Sequence, residues 1–126
     1  MLKTILVVED DQTMRELLQL HLRTAGYTVL AAANGVEAGR AILGILPDMI
    51  ISDVNMPDMN GYELVAAIKQ EPALKDIPVI FLTLEYDAHE QAAKLGAVAC
   101  LTKPIKVDAL LAMVAKHFPA ARDGAA

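Results

Sequence analysis

At 126 residues the chain has the length of one ordinary domain, and its 55% hydrophobic and 21% charged content suits a packed core and excludes a disordered chain. A formal net charge of -5 leaves no basic footprint for nucleic acid or an anionic membrane, so proteins and small ligands are the expected partners. With one cysteine, Cys100, no intrachain disulfide can form, which fits a reducing cytoplasm.

The N-terminal "MLKTILVVEDD" carries an apolar run too short for a signal core or a membrane span, and acids follow it at once. Residues 5–8 read as a buried strand. Met14, Leu17, Leu18, His21, Leu22 and Ala25 then recur with helical spacing, and Gly26 is placed to stop that helix. A second strand spans residues 28–31, and Asn34 with Glu37 forms a cap pair opening a second helix. Pro47 precedes a third strand at 49–52, after which Asp58 and Asn60 read as turn formers and Gly61 as a backbone-driven residue starting the third helix. Pro78 precedes a fourth strand at 79–82, and a fourth helix ends at Gly96. The fifth strand covers 98–101, and Val107, Leu110, Leu111, Val114 and Phe118 mark the last helix.

Strand and helix therefore alternate throughout, which predicts an α/β fold: a flavodoxin-like, doubly wound sheet of five parallel strands in the order 2-1-3-4-5, with helices on both faces. Residues 1–118 form the domain, and 119–126 ("PAARDGAA") read as a frayed tail with no further domain after it.

In a parallel sheet all strands deliver their C-terminal ends to one edge, where ligands bind. That edge receives Glu9, Asp10 and Asp11 after strand 1, Asp53 after strand 3, Thr83 after strand 4 and Lys103 after strand 5. Packed carboxylates repel, each pair by roughly 4 kcal/mol at ~4 Å and an effective dielectric near ~20. A hard divalent cation relieves this with oxygen ligands, and a few carboxylates with water positions left open suit Mg²⁺, with Mn²⁺ as the alternative. Zinc is disfavoured because His21, His89, His117 and Cys100 lack ligand spacing. Lys103 supplies a second positive charge opposite Asp53, and Thr83 a neutral hydroxyl between them. Such a set can transfer a phosphoryl group, with Asp53 as covalent nucleophile and the cations absorbing charge on the phosphoryl oxygens. For Asp11, charge at the start of the first helix is the preferred role.

Four motifs in order carry a resemblance: "VVEDD" at residues 7–11, "DVNMPDMNG" at 53–61, "FLT" ending at Thr83, and "LTKP" at 101–104. From Ile5 to about Phe118 the chain resembles the receiver domains of two-component response regulators, in the manner of chemotaxis regulators. The resemblance implies that Asp53 is the phospho-acceptor, that Asp10 binds Mg²⁺ directly, that Glu9 acts on the metal mainly through water, and that Asn55 supplies its backbone carbonyl. It further implies that Thr83 is the switch hydroxyl, that Lys103 pairs with the phosphoryl group, and that the Lys103-Pro104 bond is cis. The implied function is a switch phosphorylated by a histidine kinase or phosphotransfer protein, catalysing its own phosphorylation and dephosphorylation. It would signal through the fourth helix, fifth strand and last helix, where Tyr86, Val98, Ala99, Ala109 and Met113 offer apolar contact.

The rival reading is a haloacid-dehalogenase-like phosphohydrolase, suggested by Glu9, Asp11 and Thr13. That pattern needs an aspartate nucleophile where Glu9 stands. Three positions depart from the receiver pattern. The segment between Thr83 and Gly96 is shorter than usual, and Leu84 replaces a small residue and is expected to crowd the phosphoryl pocket. Cys100 stands where an aromatic residue is common, and its bland role is a small buried hydrophobe.

Overall fold

The computed structural model describes residues 3–54, 61–84 and 93–118. Five strands, β1 (Thr4–Val8), β2 (Thr28–Ala32), β3 (Met49–Asp53), β4 (Val79–Thr83) and β5 (Ala99–Thr102), form one parallel sheet in the order β2-β1-β3-β4-β5. Among the described residues four helices accompany it: α1 (Gln12–Thr24), α2 (Gly35–Gly44), α3 (Gly61–Lys69) and the C-terminal α4 (Val107–His117). The helix expected between β4 and β5 falls mostly on residues 85–92, outside the described residues; its last residues run into Gly96.

Alternation along the strands divides the core in two. Leu6, Val8, Ile50 and Phe81 point to one face and pack with Leu64, Val65 and Ile68 of α3 and Ala38 of α2. Ile5, Val7, Ile51, Ile80 and Leu82 point to the other, against Leu18 and Leu22 of α1 and Leu110 and Val114 of α4. This is the doubly wound arrangement that the alternating pattern predicts.

Two details differ from the sequence reading. Full burial along the whole strand holds for β3 and β4, whereas β2 and β5 are only partly buried, because each is an edge strand with one neighbour. β3 and β4 also run one residue further than their apolar runs, so Asp53 and Thr83 are their last ladder residues, paired with Leu82 and Thr102. β5 begins at Ala99, and Val98 before it is exposed.

The expected stops and caps form. At the end of α1 the Tyr27 amide donates to the Leu22 carbonyl and the Gly26 amide to that of Arg23, a Schellman closure with Gly26 at φ 105°. Gly96 likewise has φ 89°. Asn34 Oδ1 accepts from the Glu37 amide and Glu37 Oε1 from the Ala33 amide, both at 2.9 Å, so the cap pair at α2 is reciprocal with its second bond one residue earlier than the usual box.

Candidate functional site

Parallel register brings the ends of β1, β3, β4 and β5 to one edge. Glu9 leaves β1 with its amide held by the Ala32 carbonyl of β2 at 3.0 Å, which keeps the chain in line with the sheet and sinks the Glu9 side chain completely. Asp10 follows and is exposed. Asp11 is the N-cap of α1, its Oδ1 accepting from the Thr13 amide at 3.1 Å, as the charge-at-helix-start reading requires. Asp53 and Thr83 are buried at the ends of the two central strands. The Lys103 amide continues the ladder by donating to the Thr83 carbonyl at 2.6 Å, and the Lys103-Pro104 peptide is cis, as the resemblance implies.

Carboxylate oxygens of Glu9, Asp10 and Asp53 all lie within 4.8 Å of one another. Lys103 reaches across this cluster: its Nζ is 3.0 Å from Glu9 Oε1 and 3.3 Å from Asp53 Oδ2. Burial drives the Glu9 pKa up to about 7; the hydrogen bond from Lys103 opposes the shift and the Asp53 charge adds to it. Burial would lower Lys103, but its hydrogen bond to Glu9 and the nearby Asp53 charge win, so its pKa is raised and it stays an ammonium. Lys103 therefore neutralises part of the acidic charge and no more.

Glu9, Asp10, Asp53 and Lys103 are thus brought together, and Thr83 ends the strand beside Asp53. Asn55, Asp58, Asn60 and Tyr86 lie outside the described residues. Leu84, expected to crowd the phosphoryl pocket, follows the last ladder residue of β4 and is 70% exposed. Cys100 is only partly buried, since β5 is an edge strand, and packs on the α2–α3 side of the sheet with its thiol pKa pushed up by burial. Sequence reasoning missed two contacts. Lys103 bonds Glu9 more closely than Asp53, and Arg15 Nη1 donates to the Glu9 carbonyl at 2.9 Å. The convergence of strand ends hinted at the first; nothing in the spacing marks the second.

Residues 5–115 match the family described as the response regulator receiver domain. The chain belongs to that family. This receiver domain is 38% identical over 112 residues to the phosphate regulon transcriptional regulatory protein PhoB of Pseudomonas aeruginosa, covering 87% of this chain and 49% of that protein. It spans about half the length of the curated relatives it matches. Among solved structures, one of a response regulator from Chloroflexus aurantiacus superposes with a TM-score of 0.88 at 38% identity, covering 92% of this chain and 97% of that one. The Thermotoga maritima response regulator TrrA, solved in complex with Mg²⁺-BeF, gives 0.82 at 32% identity, covering 91% and 98%. Receiver domains belong to two-component, phosphorylation-dependent signalling, and that class now applies to this chain.

Proposed function

We propose that Asp53 accepts a phosphoryl group from a histidine kinase or a phosphotransfer protein in a Mg²⁺-dependent reaction, and that the modified domain signals through protein contacts. The observation that carries this reading is a single ammonium, Lys103 Nζ, set 3.0 Å and 3.3 Å from two members of a three-carboxylate cluster at the ends of adjacent strands. An Asp53 carboxylate oxygen attacks phosphorus and forms the acyl phosphate as the donor P–N bond breaks, its electron pair remaining on the imidazole nitrogen. Lys103, already beside Asp53, is positioned to follow the transferred oxygens, and the Thr83 hydroxyl to donate to one of them.

The residues fit a divalent cation. Three carboxylates against one ammonium leave two negative charges uncompensated when all are ionised. An all-oxygen donor set suits Mg²⁺ or Mn²⁺. Asp10 and Asp53 would hold the ion, with Glu9 acting mainly through water and the Asn55 carbonyl completing the protein ligands. The bound ion supplies positive charge to the phosphoryl oxygens. The Mg²⁺-BeF complex of TrrA supports the assignment by analogy. The phosphohydrolase alternative gains nothing, since Glu9, where its aspartate nucleophile would stand, is fully buried and bonded to Lys103.

For output, exposed Val98 and Ala109 with half-buried Ala99 and Met113 support a partner face on β5 and α4 together with the preceding helix. A cytoplasmic setting, a domain over residues 1–118 and a tail at 119–126 complete the reading; among the described residues no helix is long and apolar enough to cross a membrane. Incubation with acetyl phosphate, with Mg²⁺ and with a chelator, tests the chemistry. A phosphorylated product only when Mg²⁺ is free is expected, and equal modification under chelation would refute the metal requirement.

A further inference from the structure

Arg15 sits in α1 just after the acidic turn, and its side chain folds back over that turn. Its Nη1 donates to the Glu9 carbonyl at 2.9 Å and approaches the Asp10 carbonyl at 3.5 Å; the first is a hydrogen bond of ordinary length and the second is at the limit. Among the described residues Arg15 makes no ion pair, although Asp10, Asp11 and Glu16 are close in sequence. Its charge is therefore directed at backbone oxygens. Lys103 takes carboxylate oxygens of Glu9 and Asp53, whereas Arg15 holds the backbone of the same turn and takes no carboxylate oxygen.

We propose that Arg15 is a positioning residue for the divalent cation: it fixes the peptide units of Glu9 and Asp10 so that their carboxylates keep the spacing to Asp53 that a cation needs. This rests on the metal-dependent reading given above. The turn is also anchored at its ends by the Glu9 amide on Ala32 and the Arg15 amide on the Asp11 carbonyl, and within by the Asp11 amide donating to Glu9 Oε2 at 3.3 Å. Arg15 adds the restraint on the Glu9 and Asp10 carbonyls themselves, against the mutual repulsion of the acids.

Removing the guanidinium has two effects of opposite sign. Loss of a positive charge beside an acidic cluster makes the site more attractive to a cation. Loss of the grip frees the turn, so that the cation must order it again, which weakens binding. The direction of the change in affinity therefore separates positioning from electrostatics, and a general structural role predicts neither.

The test is calorimetric titration of the full chain with MgCl₂ for wild type, Arg15→Lys and Arg15→Met, with circular dichroism to verify folding. Outer partners of metal ligands are worth about 10–100-fold in affinity, and a weakening of at least roughly tenfold is expected for Arg15→Met. Arg15→Lys, whose single nitrogen can still reach one of the two carbonyls that Nη1 holds, should fall between it and wild type. In Asp53 phosphorylation by acetyl phosphate, half-saturating Mg²⁺ should rise with the dissociation constant, and by a larger factor than the rate at saturating Mg²⁺ falls. Unchanged or tighter Mg²⁺ binding by Arg15→Met overturns the proposal. If that variant fails to fold, Arg15→Gln replaces it under the same criterion. Wild type that binds no Mg²⁺ at all would sink the metal-dependent reading itself, an outcome distinct from equal affinities across the series.

Discussion

Glu9 is under electrostatic tension. Its carboxyl is fully buried, has Lys103 as counter-charge and has Asp53 nearby, and its pKa rises from an ordinary 4.5 to about 7. A raised acid binds a proton more tightly in the folded state than in the unfolded one. Its contribution to stability is thus complete below about pH 4.5 and is lost as pH rises through about 7. In chelator, wild type should lose stability relative to Glu9→Gln across that window, by up to roughly 3 kcal/mol. Denaturant melts of both proteins at several pH values read the difference, and a difference that stayed flat would remove Glu9 from the charge balance. Cys100 gives a second residue-scale expectation. Burial raises its thiol pKa, so less thiolate is present at neutral pH than for a free cysteine. Alkylation by iodoacetamide near pH 8 should be slower than for a cysteine-containing peptide; faster reaction would mark an activated thiol in place of a packing residue.

At the scale of elements, punctuation was legible where its physics is local. Gly26 is needed because φ of 105° penalises any side chain, and the Asn34–Glu37 pair reads from spacing alone because both partners lie on one turn. A Cβ added at Gly26 would meet nothing within 4 Å, so the cost of Gly26→Ala comes from the backbone alone. That substitution should lower stability by roughly 1–2 kcal/mol. A denaturant midpoint equal to wild type would show that the Schellman closure is dispensable. Strand ends were less legible. Hydrophobic periodicity stops at the last apolar residue, while the hydrogen-bond ladder continues through Asp53, Thr83 and Thr102.

At the scale of the molecule, strand order made the site foreseeable. A 2-1-3-4-5 parallel sheet places β1 beside β3 and β4 beside β5, and so gathers Glu9, Asp10, Asp53, Thr83 and Lys103 at one edge although up to 94 residues separate bonded partners. What the order could not reveal was which acid Lys103 prefers, since that depends on side-chain reach across two intervening strands. Arg15 was invisible for a related reason: its partners are carbonyls, which every residue has. On the proposed reading Lys103 acts on the transferred phosphoryl group more than on the metal. Lys103→Met should therefore still bind Mg²⁺ but be phosphorylated more slowly by acetyl phosphate, by on the order of tenfold or more, if one charge-assisted contact of roughly 1.5–3 kcal/mol to the transferring group is lost. Loss of Mg²⁺ binding with an unchanged saturated rate would assign Lys103 to the wrong partner.

The most direct measurement is the intact mass of the protein after acetyl phosphate and Mg²⁺, for wild type and Asp53→Asn side by side. Wild type is expected to gain one phosphoryl group, labile to alkali as an acyl phosphate is, and Asp53→Asn to gain none. A full phosphoryl gain by Asp53→Asn would contradict the assignment of Asp53 as the acceptor held between Lys103 and the acids that follow β1.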